Sequence, residues 1–123
     1  MSERTPKTIT FIARSTPYGN GRARALLDMV LSTAVFEQRV NLVFMDDGVW
    51  QLARGQQAKA IDAKDLGAAL SALPLYDVQH IYVDERALLE RGLSVEDLVI
   101  PASPCDDAHI ANLIQHSDVI YQL

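Results

Sequence analysis

Two adjacent carboxylates, three histidines, one cysteine and two closely spaced glycines are the residues of this 123-residue chain that could do chemistry. Asp46 and Asp47 stand at the end of a hydrophobic run, a position from which carboxylates work as acid/base groups or bind cations. Successive side chains of an extended segment point to opposite sides, so the pair reads better as a turn with Gly48 than as one site. His80, His109 and His116 lack the spacing of a metal motif, and no metal is expected. Gly19-Asn20-Gly21 lies between a strand and a helix, where dinucleotide sites place their glycines. Arg24 occupies the third glycine position, and only Asp46 loosely matches the acid that should follow. A tight turn explains the two glycines as well, and no cofactor is expected. The chain contains neither a Gly-x-Ser-x-Gly elbow nor a P-loop.

Cys105 is the one thiol. Ser103-Pro104-Cys105-Asp106 has the order of a helix start, with a cap, Pro at the first helical position and an acid in the first turn. A helix N-terminus favours a thiolate, whereas Asp106 and Asp107 oppose it by like-charge repulsion. The partner needed for a Cys-x-x-Cys couple is missing, so an ordinary helix-start cysteine is the competing reading.

The elements that must position these residues alternate. Residues 8–13 form a β-rich run, followed by a turn-rich loop at 15–21 and a helix over 22–36. In that helix Arg24, Asp28 and Ser32 mark one polar stripe. Leu26, Leu27, Met29, Val30, Leu31, Ala34 and Val35 cover most of the remainder, more than a helix lying on one sheet needs. The excess predicts a second buried contact, with a partner chain or a neighbouring helix. Residues 40–45 predict a second strand and 49–52 a helical turn. Asp62, with Asp65 three residues on, predicts the start of a helix carrying Leu66, Ala69, Leu70 and Leu73 and limited by Pro74. A third strand over 78–83 and a helix over 86–91 stopped by Gly92 come next. Ser94 to Asp97 carries a cap signal, Leu98-Val99-Ile100 reads as the fourth strand, the last helix ends near His116, and 118–123 closes the chain as a strand. Five strands alternating with four helices imply an α/β fold, a flavodoxin-type mainly parallel sheet with helices on both faces, and the strand order 2-1-3-4-5.

Length and composition point to one domain over 1–123, since 49% hydrophobic residues can fill a single core. A net charge of −5 argues against a nucleic-acid surface, which depends on clustered Lys and Arg. No apolar run approaches the roughly 18 residues that span a bilayer. The leading residues 1–7 lack the apolar stretch of a secretory signal. One cysteine precludes an internal disulfide and suits a reducing compartment, so a cytoplasmic location is expected.

Several strings together resemble the TusC/DsrF family. Asp47-Gly48-Val49-Trp50-Gln51-Leu52 resembles its Asp-Gly-Val-Phe-Gln-Leu segment, and Leu73-Pro74-Leu75-Tyr76-Asp77-Val78 its Leu-Gly-Leu-Tyr-Asp-Ile stretch. Leu88-Leu89-Glu90-Arg91-Gly92-Leu93 resembles Leu-Arg-Glu-Arg-Gly-Leu. The loop Ser15-Thr16-Pro17-Tyr18-Gly19 and the terminal Asp118-Val119-Ile120 also fit, so the similarity follows the whole chain in order. The resemblance implies a DsrE-like fold and a noncatalytic place in a TusBCD sulfur-relay complex, beside TusB-like and TusD-like subunits in a heterohexamer. Such a complex passes persulfide sulfur through a TusE-like protein towards 2-thiolation of the tRNA wobble uridine. The sulfur-carrying cysteine belongs to TusD, and the matching position here is Asp84. Trp50 and Tyr76 are the candidate interface aromatics. Three alternatives stand beside this reading: a DsrF-type subunit of a DsrEFH complex in sulfur oxidation, a free-standing carrier using Cys105, and a flavin or nucleotide domain at Gly19 to Gly21.

Overall fold

In the computed structural model, which describes residues 6–17, 21–36, 38–54 and 63–123, the β-branched and aromatic runs become strands, and the first two end in consecutive buried residues, as a sheet covered on both faces requires. The strands are β1 (Thr8–Ala13), β2 (Arg39–Phe44), β3 (His80–Asp84), β4 (Ser103–Cys105) and β5 (Val119–Gln122). The helices are α1 (Arg22–Ala34), α2 (Ala63–Ala72), α3 (Glu85–Glu90) and α4 (Asp107–Gln115). Every strand pair is parallel. Gly19, Asn20, Asp62 and the side chain of Asp65 fall outside the described residues.

The strand order is β4-β3-β2-β1-β5, which corrects the expected 2-1-3-4-5. The first three crossovers each step to the next strand in one direction, and only the last jumps back across the sheet. Right-handed crossovers therefore put α1, α2 and α3 on one face and α4 on the other. Packing follows that rule. Phe11, Leu42, Phe44 and Val83 share the main core with Leu27 of α1, Leu70 of α2 and Leu88 of α3. Val43, pointing the opposite way in β2, packs with Cys105 and Ile110 of α4. Alternation along the sequence announces strands and helices, but carries no sign saying which crossover reverses direction.

The fourth strand is a second correction. Leu98 makes only an isolated antiparallel bridge to Ala53, and the fourth strand is Ser103–Cys105. Pro104 suits a helix's first position and an edge strand equally, because neither requires its missing N–H. It lies on the edge strand here, and the helix cap moves to Asp106, whose carboxylate accepts from the His109 amide at 2.8 Å. Elsewhere the boundaries agree closely. β1 coincides with the expected run, and α3 stops before Gly92, whose φ of 68° is the left-handed conformation of a C′ residue. Helix α1 ends two residues before Phe36, leaving Val35 and Phe36 exposed. Among the described residues no helix is long and apolar enough to cross a membrane.

Candidate functional site

The reversal of the last crossover creates the one place where neighbouring strands send their chains to opposite faces. β3 leads into α3 above the sheet, and β4 leads into α4 below it. Open α/β sheets bind ligands in the crevice outside the carboxyl ends of strands at such a switch point. A cleft of about 260 Å³ lies there, lined by Asp84, Glu85, Arg86, Asp106, Asp107 and Ala108.

Asp84 and Cys105, far apart in sequence, are Cα register partners on β3 and β4. Register partners in a parallel pair point to the same face, and here it is the α4 face. Asp84 is 7% exposed. Its Oδ1 accepts from the Arg86 amide at 3.2 Å and so caps α3. Burial pushes its carboxyl above the ordinary 3.8, and Asp107 and Asp46 add to that, while the Arg86 amide and guanidinium act the other way. Cys105 is 2% exposed and its Sγ donates to the Ser103 carbonyl at 3.5 Å. Burial pushes the thiol up to about 11, with Asp106, Asp84 and Glu85 contributing repulsion in that order. The thiol is thereby held in its protonated form, while the thiolate is the form that reacts. The expected helix start at Cys105 is therefore corrected: the residue ends a strand, and its surroundings are apolar or negative.

Arg86 and Asp107 join the starts of α3 and α4 through an exposed ion pair of 2.7 Å, worth under about 1 kcal/mol. Arg86 is not a sequence candidate, and Asp107 enters there only as a charge near Cys105. The available signal is that both stand within the first turn after a strand end, a feature visible only once β4 is placed correctly. The ring of His109 packs edge-on against Tyr82, centroids 5.4 Å apart, so it is oriented by an aromatic neighbour.

Asp46 and Asp47 diverge, though in a 3-10 turn and not in the extended segment that strand alternation assumes. Asp46, at φ 48°, pairs with Arg14, whereas Asp47 accepts from Arg91 at 3.0 Å. Both begin a 3-10 helix over Asp46–Gln51 that also carries Trp50, which is half-buried. Tyr76 sits at the other end of the sheet, beside a cavity of about 440 Å³ that the strand starts Thr8, Val40 and His80 help to line. The two candidate interface aromatics are thus not brought together. Leu75, 83% exposed, and Phe36, 72% exposed, are apolar surface that the sequence reading passed over. His80 starts β3, His109 lies in the first turn of α4 and His116 ends it. Among the described residues no three His, Cys, Asp or Glu side chains are grouped to hold a metal ion.

Replacing Asp84 should separate its two roles. Asp84→Ala removes the cap of α3 and should cost about 1 kcal/mol. Asp84→Asn keeps an acceptor and removes the charge. A carboxyl whose folded pKa is raised destabilises the fold as pH climbs through it, and this cost disappears below 3.8. The Asn variant should therefore gain on the parent between pH 4 and pH 7 in urea melts. An unchanged difference across that window would rule out the raised carboxyl.

Residues 7–121 match the DsrE/DsrF-like family. A TusC homolog from Pseudomonas aeruginosa is 38% identical over 117 residues, covering 95% of this chain and 98% of that protein. The intracellular sulfur oxidation protein DsrF of Allochromatium vinosum is 36% identical, with 98% of each chain covered. The crystal structure of the ychN protein from E. coli superimposes with a TM-score of 0.81 at 20% identity, covering 95% of this chain and 99% of that one. The fold and the two close relatives agree, and the chain belongs to the DsrE/DsrF-like family.

Proposed function

We propose that this chain, as one domain over 1–123, is a noncatalytic subunit of a cytoplasmic TusBCD-type sulfur-relay complex. It assembles with TusB-like and TusD-like chains, and the complex hands persulfide sulfur to a TusE-like protein for thiolation of the tRNA wobble uridine. The observation that carries the reading is Asp84. By its spacing before the Arg91-Gly92 string it stands where the resemblance puts the family's sulfur-carrying cysteine, and it is a buried helix cap with no sulfur to offer. Whole-length identity to TusC homologs supports the choice of complex. The excess of acidic residues supports a subunit that meets proteins and leaves tRNA to others. Cys105, buried and held protonated, weighs against the free-standing carrier.

Native mass spectrometry of the tagged chain from its own host is the direct test. A hexamer containing two other chains of similar size is the expected result, and a lone chain or homo-oligomer would sink the proposal. Cys105→Ser should leave thiouridine levels in cellular tRNA unchanged. A loss of thiolation with the complex intact would transfer the sulfur chemistry to this subunit.

The similarity to DsrF favours a second reading, a subunit of a DsrEFH-type complex in sulfur oxidation. Deletion of the gene separates the two. Loss of tRNA thiouridine supports the relay, whereas intact thiouridine with impaired oxidation of stored sulfur supports the DsrF-type role.

A further inference from the structure

Cys105 ends β4 directly before the cap of α4, and its register partner Asp84 ends β3 as the cap of α3. Each helix start is occupied by its own carboxylate: Asp84 caps α3 through the Arg86 amide, and Asp106 caps α4 through the His109 amide. These bonds do more than terminate helices. They hold two negative charges near the cysteine, a buried one on its register partner Asp84 and an exposed one on its chain neighbour Asp106. One amide at each helix start, that of Arg86 and that of His109, is committed to these carboxylates.

We infer that Asp84 and Asp106 act as a fixed electrostatic guard that keeps Cys105 an unreactive thiol, so that sulfur passing through the assembly is not captured on this subunit. The second half of that statement rests on the relay reading above; the guard itself does not. The other charged or titratable groups around the switch point are Glu85, Arg86, Asp107 and His109. Arg86 is drawn into its ion pair with Asp107, and His109 is packed on Tyr82. Val43 and Ile110 close the remaining side with apolar surface. Asp84 and Asp106 are positioning residues here, acting on the sulfur by charge.

The test is the pH–rate profile for alkylation of the full chain by iodoacetamide, in the parent, Asp84→Asn, Asp106→Asn and the double variant. Asn caps a helix about as well as Asp, so the charge is removed with the cap retained. Removing both charges should move the profile's midpoint down by about one pH unit or more and raise the rate at pH 8 about tenfold. Each single variant should give part of the shift. A merely structural effect, in which the substitution loosens the cleft, raises the rate at every pH and leaves the midpoint where it was. That result would overturn the guard, as would a double variant as slow as the parent, since burial alone would then account for the inert thiol. Native mass spectrometry of the same variants keeps the two proposals apart. A shifted midpoint in a chain that never joins a hetero-oligomer retains the guard and sinks the relay reading, and an unshifted midpoint within an intact complex does the reverse.

Discussion

Gly48→Ala is expected to leave little or no folded protein. A Cβ at this position would sit 1.8 Å from the carbonyl oxygen of Ala13, 2.5 Å from its carbon and 3.1 Å from the Cα of Arg14. All three are backbone atoms at the end of β1, so no side-chain rotation can relieve the overlap. The approach is tied down on both sides: the Met45 amide donates to that same Ala13 oxygen at 2.9 Å, and the Gly48 amide donates to the Met45 carbonyl at 2.8 Å. Making room means breaking the junction between β1 and the 3-10 helix that follows β2. A cost above about 4 kcal/mol belongs to the exceptional range for one substitution and is a large part of a domain's usual margin. The measurement is thermal melting of the soluble fraction. A drop of roughly 15 °C or more is expected, and a melting temperature within a few degrees of the parent would show that the junction yields easily.

The second large effect is expected from Phe11→Ala. Phe11 is 0% exposed, on a strand paired on both sides, by β2 and by β5. Its ring stacks on Tyr121 of β5 with centroids 5.5 Å apart and planes 19° from parallel. Truncation loses the transfer free energy of the ring and leaves a cavity that strands held in register cannot close, a cost of about 3–5 kcal/mol. Tyr121→Ala removes the other half of the stack from a half-exposed edge strand and should cost less than half as much. The coupling between them in a double-mutant cycle should be about 0.5–1.5 kcal/mol. Equal losses for the two single variants would mean that the stack, and not burial beneath α1, dominates at Phe11.

The prominence of these two residues bears on how much of the molecule can be read from its sequence. Phe11 was placed correctly on the first strand by local pattern alone. Gly48 looked like an ordinary turn glycine, and nothing nearby in sequence hints that a backbone oxygen 35 positions earlier fills the space of its side chain. The candidate site divides the same way. Asp84 was singled out from a resemblance to family strings and Cys105 as the one thiol, and both lie at the site. Their adjacency is not legible in the sequence, because Leu98-Val99-Ile100 reads as the fourth strand and Pro104 as a helix start, whereas the strand is Ser103–Cys105.

Local sequence determined the class of fold, the alternation of strand and helix, the stop at Gly92 and the turn at Asp46 to Gly48. These depend on side-chain periodicity, on turn chemistry and on the geometry of neighbouring residues, which act over a few positions. Only the tertiary structure decided the strand order, the single reversal that sends α4 to the far face, and hence which strand ends share a cleft. Those outcomes depend on which strands pair, a contest among contacts distant along the chain. The surroundings of Cys105 were decided there too. The string Ser103-Pro104-Cys105-Asp106 reads as an ordinary helix-start cysteine, whereas the fold puts the residue at a strand end, buried against Val43 and Ile110 with Asp84 as its register partner. Desolvation and charge at a buried sulfur are set by what the fold brings around it, and no short stretch of sequence carries that information.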